Sequence, residues 1–342
     1  MLTLSLGLAT LVSAALGFFI ARSRLALDQP NARSMHTAPT PRLGGVALWS
    51  GFGCGLVVLQ AIQLQQGMML GALALVVAVS LLDDIHTLPP WPRLAAQLGA
   101  ALLALLGTDL IPASLTIPGL AWGWPHALAL PLCLVFLVWT SNCFNFMDGL
   151  DGLAATQAIT GFTALAIMAG ASGAPWLMVA TSLTAAGALG FLPWNWPPAR
   201  LFLGDGGAVG LGFWQGTLTL YGAAQGVFPL WAGLLGFAPF LLDGTITLLL
   251  RTLAGHSPLV PHRDHLYQRL ARGQWGARRT LQVYALFMAS CAAGACLTYH
   301  QPLPWGLAVC LTACGIHLGL RWRLGTQEAS CRQSPGENDP QL

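Results

Sequence analysis

Aspartate and asparagine residues stand at the ends of long apolar blocks in this sequence. Asp83 and Asp84 are adjacent after one block, where a helix macrodipole disfavours carboxylates, so helix capping does not explain them. A second series, in which polar residues recur every three positions, comprises Asn142, Asn145, Asp148 and Asp151. Such spacing places neighbours on one helix face, but Gly149 and Gly152 favour a turn whose backbone N–H groups can bind an anion or a base edge. Carboxylates in this arrangement can bind a divalent cation or accept a proton.

Two later segments carry further polar groups. Asn195 begins the run NWPPARLFLGD, in which Asp205 precedes two glycines and then an apolar block. Asp205 is either a helix N-cap or a cation ligand. In HRDHLYQ (residues 262–268), His262, Arg263 and His265 suit a pyrophosphate, whereas the HxxH spacing is a weak zinc signal without a third or fourth ligand.

The run PTPRLGG (residues 39–45) precedes another apolar block. Its prolines stiffen the chain, and Gly44 and Gly45 allow the backbone to approach a ligand or pack closely. Arg42 can hold a phosphate as a bidentate donor, or the segment is simply a rigid turn. After Asp84, Arg93 and Gln97 could reach the same surface.

The composition excludes an ordinary soluble enzyme. Of the 342 residues, 55% are hydrophobic and only 8% are charged, whereas soluble proteins carry about 25% charged residues. The mean hydropathy of +0.64 also excludes disorder and collagen-like repeats. A net charge of +3 without a basic block interleaved with aromatic residues predicts no nucleic-acid partner.

The apolar blocks predict an all-α polytopic membrane protein with about eleven transmembrane helices, ten being the alternative count. We expect one integral membrane domain over residues 1–320 and a polar, mobile cytoplasmic tail over residues 321–342. Segment 109–125 either extends the short fourth span or lies at the membrane interface. The predicted spans are 2–20, 44–61, 67–82, 94–108, 126–141, 153–170, 175–192, 207–222, 229–249, 280–298 and 304–320.

Arginine placement predicts the orientation. With eleven spans, all fifteen basic residues, which are all arginine, fall on one side, and the opposite loops hold none. This side is cytoplasmic by the positive-inside rule, so the N-terminus lies outside and the C-terminus inside. Most aspartates lie at the same face, with Asp109 as an exception, and Asp243 lies within span nine. The active site is therefore expected at the cytoplasmic face.

Together these segments resemble the polyprenyl-phosphate N-acetylhexosamine-1-phosphate transferases of the glycosyltransferase family 4 type, which are related to phospho-MurNAc-pentapeptide translocase. The resemblance covers roughly residues 1–320. The HRxHxYQ form and the absence of lysine from the first loop look most like the subgroup that initiates bacterial O-antigen. The motifs that carry the resemblance are PTPRLGG, LDD (82–84), NCFNFMDGLDGLA (142–154), NWPPARLFLGD (195–205) and HRDHLYQ.

The resemblance implies a reaction and its participants. Such an enzyme transfers sugar-1-phosphate from a UDP-N-acetylhexosamine (GlcNAc, GalNAc, or a deoxy relative such as FucNAc or QuiNAc) to undecaprenyl phosphate and releases UMP. It works in the bacterial inner membrane, in contact with membrane lipid, and begins O-antigen or related envelope polysaccharide synthesis. Mg²⁺ is the expected cofactor, with Mn²⁺ as the alternative. Small residues in span eight would permit a homodimer.

The resemblance also assigns roles. Asp205 matches the Mg²⁺-binding aspartate, Asp83 and Asp84 the pair that engages the lipid phosphate, and Asp148 a further active-site carboxylate. Asp243 matches a recurrent aspartate, which is either functional or an interhelical hydrogen-bond partner. The uridine-binding positions are Gly149, Leu150, Asp151 and Phe202; the polar supports are Asn142, Asn145 and Asn195; and the pyrophosphate and sugar loop holds His262, Arg263 and His265.

Two other classes of protein fit the sequence less well. A polytopic transporter would favour polar residues at the membrane midplane and inverted repeats, whereas the polar chemistry here lies at one surface. A CDP-alcohol-type transferase would need the pattern DGxxAR…GxxxD…D, but Leu150, Asp151 and Gly152 follow Asp148-Gly149.

Overall fold

A computed structural model describes residues 1–29, 39–59, 64–257, 260, 262–273, 275–301 and 303–333. Thirteen helices and two short antiparallel strand pairs account for the elements within these ranges. The helices are α1 (Leu2–Ile20), α2 (Gly44–Leu59), α3 (Leu64–His86), α4 (Pro90–Gly107), α5 (His126–Met147), α6 (Leu153–Ala171), α7 (Pro175–Asn195), α8 (Gly204–Ala224), α9 (Leu230–Leu235), α10 (Ala238–Leu253), α11 (Leu266–Arg272), α12 (Gly276–Thr298) and α13 (Leu303–Gln333). The strands are β1 (Leu27–Asp28), β2 (Thr40–Pro41), β3 (Ser114–Ile117) and β4 (Leu120–Gly123).

The all-α membrane architecture predicted from the sequence is confirmed. Among the described residues, seven helices are long and apolar enough to cross a membrane. Each of the eleven predicted spans also overlaps with helix in its described residues, although the count and the orientation stay predictions. Helix α13 continues through Gln333, so residues 321–333 of the predicted tail are helical. The rest of the tail lies outside the described residues.

Span nine is interrupted. Helix α9 ends at Leu235, and α10 begins two residues after Gly236, with Pro239 in its first turn. A break within a membrane leaves carbonyl groups that need donors. The Gln157 side chain of α6 supplies one, since its Nε2 donates to the Gly236 carbonyl at 2.9 Å.

Segment 109–125 does not extend the fourth span. Helix α4 ends at Gly107, and strands β3 and β4 pair as an antiparallel hairpin, Ile117 opposite Leu120, with Gly119 at φ +77° in the turn. The hairpin is attached to α9, because Thr116 Oγ1 accepts the Leu230 N–H at 2.8 Å. Of the two alternatives for this segment, extension of the span is therefore wrong.

Helix α8 lies at the centre of the bundle. Every residue from Gly206 to Leu220 is buried, and α8 packs against α2, α3 and α5. Glycines let neighbouring backbones approach closely. A Cβ atom at Gly212, for example, would collide with the Thr140 carbonyl of α5. Close packing therefore fixes the position of α8, and Asp205 lies in the first turn of this helix.

The PTPRLGG segment connects α2 to the start of α8. Its backbone pairs with residues 202–203: the Phe202 N–H donates to the Pro41 carbonyl at 2.8 Å. In return, the Gly44 N–H donates to the Phe202 carbonyl at 2.9 Å and the Gly45 N–H to the Leu203 carbonyl at 2.8 Å. The conformation of this motif therefore determines where α8 begins.

Gly45→Ala should disturb this junction, because an added Cβ atom would collide with the Gly207 backbone. We expect a loss of about 1–3 kcal/mol of unfolding free energy, since overpacking forces backbone shifts. Gly53→Ala is the matched control, because that glycine lies in the same helix with nothing within 4 Å of its added Cβ. The control should be neutral or more stable by up to about 1 kcal/mol. Thermal unfolding of both variants in detergent tests this difference, which equal melting temperatures would contradict.

Candidate active site

The ends of α3, α5 and α8 surround a cavity of about 320 Å³. Eleven of the fifteen predicted site residues line it: Arg42, Asp84, Asn145, Asp148, Gly149, Leu150, Asp151, Asn195, Phe202, Asp205 and Arg263. The other four, Asp83, Asn142, His262 and His265, lie outside this lining. The motifs predicted to act together are therefore largely brought together by the fold, although they span more than 200 positions of the chain.

Arg93 joins two of the predicted carboxylates. Its Nη2 lies 2.8 Å from Asp205 Oδ2, and its Nη1 lies 3.0 Å from Asp83 Oδ2. Asn145 Nδ2 lies 3.4 Å from the same Asp205 oxygen. Asp205 is also placed favourably in the first turn of α8, where the helix dipole stabilises negative charge. The sequence suggested only that Arg93 could reach this surface, and its bridging role comes from the approach of α4 to α8.

Asp84 holds the start of α8. Its Oδ1 accepts the Asp205 N–H and its Oδ2 accepts the Gly206 N–H, both at 2.9 Å. These are two of the backbone donors that a helix N-terminus leaves without intrahelical partners. Gly204 adopts φ +73°, and a Cβ there would lie 2.8 Å from Asp84 Oδ2, so this contact requires glycine. Arg42 Nε completes the junction by donating to the Asp84 carbonyl at 3.0 Å.

Asp83 points away from its neighbour. Its Oδ1 accepts the Leu88 N–H, and its Oδ2 faces Arg93, so each oxygen of the acidic pair has a protein partner. These contacts fix the positions of α3, α4 and α8 relative to one another. Direct engagement of a lipid phosphate by the pair, as the sequence resemblance implies, stays a prediction.

The DGLDG turn connects α5 to α6. It begins at Asp148, just after α5, and ends at Gly152 with φ +77°, just before α6. Asn195 Oδ1 accepts the Gly152 N–H at 2.9 Å, and Asp151 Oδ2 accepts the Ala199 N–H at 2.9 Å. The expectation that the N–H groups of this turn are free for a ligand therefore does not hold at Gly152. The Gly149 N–H is likewise engaged, because it donates to Tyr267 Oη at 3.1 Å.

The cavity concentrates carboxyl groups. Burial raises the pKa of Asp148 well above its usual range, and the nearby carboxylates of Asp205, Asp84 and Asp151 raise it further. Like charges in such a site repel one another unless a cation compensates them. Guanidinium groups at the cavity wall, from Arg42, Arg263 and Arg272, supply part of that compensation.

The carboxylates of the cavity fit Mg²⁺ only if phosphate oxygens and water complete the coordination shell. Among the described residues, no three His, Cys, Asp or Glu side chains form a group able to hold a metal alone. Mg²⁺ usually takes one or two carboxylates and completes its shell with phosphate oxygens and water. Asp205 meets this requirement, since it is a hard oxygen donor whose side chain is 27% exposed to the cavity. The same donor set would accept Mn²⁺.

The HRDH loop contributes one cation to the cavity. Arg263 lines it, whereas His265 is only 3% exposed and stacks against the rings of Phe146 and Tyr267, whose centroids are 5.9 and 6.1 Å away. Burial, with the charges of His265 and Arg251 adding to it, lowers the pKa of His262 to about 4. His262 is therefore neutral at physiological pH. Asp264 pairs with Arg251.

Further residues belong to the site although the sequence did not assign them to it. Gln268 and Arg272 both line the cavity, and their spacing of four residues on α11 was a signal for a shared face. Asp28 lines it from β1. Asn142, by contrast, faces α4, where its Nδ2 donates to Gln97 Oε1 at 2.9 Å. Asn142 therefore connects α5 to α4 outside the cavity.

Comparison with known proteins identifies the family. The family model described as glycosyl transferase family 4 matches residues 67–223, which contain all four predicted catalytic aspartates. A probable undecaprenyl-phosphate N-acetylglucosaminyl 1-phosphate transferase of Bacillus subtilis is 30% identical over 77% of this chain and 74% of its own length. The chain belongs to glycosyl transferase family 4.

Other relatives agree with this membership. A decaprenyl-phosphate N-acetylglucosaminephosphotransferase of Mycolicibacterium smegmatis is 31% identical over 80% of this chain and 75% of its own length. A phospho-N-acetylmuramoyl-pentapeptide-transferase of Heliobacterium modesticaldum is 31% identical over 56% of this chain and 64% of its own length. The family predicted from the five motifs is thus confirmed. The chain is a multi-pass membrane enzyme of the phosphosugar transferase class.

Proposed function

We propose that the protein transfers N-acetylglucosamine-1-phosphate from UDP-GlcNAc to undecaprenyl phosphate, giving undecaprenyl-diphosphate-GlcNAc and UMP. The observation that carries this proposal is the cavity itself. It combines a carboxylate cluster suited to Mg²⁺ with three arginines, at the ends of α3 and α5, which are long and apolar enough to cross a membrane. The names of the B. subtilis and M. smegmatis relatives favour GlcNAc over GalNAc, FucNAc or QuiNAc as the sugar.

The reaction requires two anionic substrates to meet. An oxygen of the lipid phosphate attacks the β-phosphorus of the UDP-sugar, and the bond between that phosphorus and the bridging oxygen breaks. UMP leaves with the bonding electrons. A phosphate monoester has a second pKa of about 6, so the lipid phosphate is largely ionised at neutral pH and needs little help from a base. The protein must chiefly bring the two together and compensate their charge.

The arginines are placed to compensate that charge. Arg42 approaches from the PTPRLGG segment, Arg263 from the HRDH loop and Arg272 from α11, so three different elements direct guanidinium groups at one cavity. Arginine binds phosphate oxygens through two parallel hydrogen bonds. We assign these residues to the diphosphate and the lipid phosphate.

Mg²⁺ would supply electrostatic stabilisation of the pyrophosphate and of the leaving UMP. Asp205 is the residue that would hold it. Asp84 supports that role, because its two hydrogen bonds to the first backbone N–H groups of α8 set the position of Asp205. Asp148 is a further carboxylate at the same wall of the cavity.

The nucleotide would occupy the side of the cavity formed by the DGLDG turn. Gly149, Leu150 and Asp151 line that side, and Phe202 supplies a ring from the segment before α8. Because Asp151 binds the Ala199 N–H, its carboxylate also fixes the two walls relative to each other.

The arginine distribution supports a cytoplasmic site in a bacterial inner membrane, with the N-terminus outside and the C-terminus inside. UDP-sugars are soluble, so a site at this face would have direct access to them. The product would begin O-antigen or a related envelope polysaccharide. The small residues of α8 are buried within the protein, so they are not available for a contact between protomers. We propose that the contact of a homodimer, if one forms, involves other helices.

The test is to identify the nucleotide released. Purified protein is incubated with undecaprenyl phosphate, Mg²⁺ and, separately, the UDP derivatives of GlcNAc, GalNAc, FucNAc and QuiNAc. UMP released with UDP-GlcNAc alone would support both the reaction and the sugar. UDP would indicate ordinary glycosyl transfer and contradict the mechanism, and no release with any donor would favour a transporter instead.

A further inference from the structure

A buried carboxylate lies under the HRDH loop, outside the cavity. Asp243 of α10 is fully buried, and it accepts the first two backbone N–H groups of α11: Leu266 at 2.8 Å and Tyr267 at 3.1 Å. These donors have no partners within a helix that begins there. Asp243 therefore determines where α11 starts and how it is directed.

Three other helical side chains hold this carboxylate in place. Tyr284 of α12 donates its hydroxyl at 2.7 Å, Thr247 of α10 donates at 3.0 Å, and Arg321 of α13 donates at 3.1 Å. Arg321 also compensates the charge. Both oxygens of the carboxylate have more than one donor, and loss of Arg321 would leave an uncompensated buried charge. Four helices thus meet at one side chain.

The geometry continues from Asp243 to the cavity through Tyr267. This side chain is fully buried, and its hydroxyl donates to the Phe146 carbonyl at the end of α5 at 2.9 Å. The same oxygen accepts the Gly149 N–H at 3.1 Å. A Cβ atom at position 149 would collide with this hydroxyl, so the contact requires glycine. Gly149 in turn lines the cavity.

We propose that Tyr267 is a positioning residue that fixes the Gly149–Leu150 wall of the cavity for the nucleotide, and that Asp243 acts through it. The proposal rests on the proposed function, because that function places the nucleotide against this wall. It gives the intramembrane carboxylate a definite role, in which Asp243 holds α11, α11 carries Tyr267, and the Tyr267 hydroxyl holds the turn. No group in this chain of contacts needs to touch the reacting phosphates.

Two matched substitutions separate positioning from general stability. Tyr267→Phe and Tyr284→Phe each remove one hydroxyl from a fully buried tyrosine beside Asp243, but only Tyr267 contacts the turn. We expect Tyr267→Phe to raise KM for the UDP-sugar about tenfold, the equivalent of about 1.4 kcal/mol. KM for undecaprenyl phosphate should stay unchanged. Tyr284→Phe should lower the melting temperature but change both KM values by less than about twofold, because both oxygens of Asp243 keep hydrogen-bond partners, including the Leu266 and Tyr267 N–H groups.

Amide hydrogen exchange gives a readout that needs no activity. In Tyr267→Phe the Gly149 N–H loses its acceptor, so a peptide covering residues 147–152 should exchange faster than in the unsubstituted protein. Tyr284→Phe should leave this peptide protected. Unchanged exchange in Tyr267→Phe, or the same kinetic change in both variants, would overturn the proposal. If the unsubstituted protein released no UMP, the proposed function would fail, and the exchange data would still decide whether Tyr267 holds the turn.

Discussion

Asp205→Asn is expected to lower kcat by about a thousandfold or more. Loss of the carboxylate removes the ligand proposed for Mg²⁺, and metal stabilisation of a phosphoryl transition state is worth several kcal/mol, with each 1.36 kcal/mol equal to a factor of ten. The backbone N–H of residue 205 and its bond to Asp84 are unaffected, so α8 should keep its position. UMP release across a Mg²⁺ titration measures this effect.

Asp109→Asn serves as the control for that substitution. Asp109 lies between α4 and the β3–β4 hairpin and does not line the cavity, so this variant should keep full activity. Both variants should extract and migrate as the unsubstituted protein does. Substantial activity in folded Asp205→Asn at any Mg²⁺ concentration would refute the assignment of the metal ligand.

Arg93→Gln is expected to produce the second largest loss, about a hundredfold or more in kcat. Two charge-assisted hydrogen bonds are removed, each worth about 1.5–3 kcal/mol, and Asp83 and Asp205 are left without their shared cation. The two negative charges then repel each other. The contacts that hold α3, α4 and α8 together around Asp205 should consequently weaken.

The Mg²⁺ dependence of Arg93→Gln makes this prediction specific. Arg93 lies 2.8 Å from a carboxylate oxygen of Asp205, the residue that would hold Mg²⁺, so its removal should lower the Mg²⁺ concentration needed for half-maximal activity even while kcat falls. Arg93→Lys should recover part of kcat, because a single ammonium group can contact only one of the two carboxylates well. Arg278→Gln, at an exposed position of α12, is the control. A normal kcat in Arg93→Gln would show that the contacts of Arg93 with Asp83 and Asp205 are not needed for catalysis.

The helices could be predicted because apolar blocks are a compositional property, whereas most of the cavity residues were predicted from the family that the five motifs resemble. Long apolar blocks between polar motifs predict helices, whereas the number of spans and their orientation stay predictions. The break after α9 also had a local signal, in Gly236 between Pro229 and Pro239. The β3–β4 hairpin did not follow from hydropathy, since its exposed strand residues include Leu115, Ile117 and Trp122.

The individual roles of the carboxylates could not be predicted in this way. Asp84 and Asp205 are 121 positions apart, and only the approach of α3 to α8 shows that one accepts the backbone N–H of the other. Asp243 was similarly ambiguous until α11 was seen to begin on it. Each assignment depends on which helix ends meet, and a spacing pattern within one segment carries no information about that.

The destination of the β-phosphorus tests the central claim most directly. Purified protein with undecaprenyl phosphate and Mg²⁺ is given UDP-GlcNAc labelled with ³²P in the β-position, and the lipid and aqueous fractions are counted after extraction. Transfer of sugar-1-phosphate predicts that the label moves into the lipid fraction in step with UMP release. Label retained in aqueous UDP while the sugar reaches the lipid would contradict the proposed reaction.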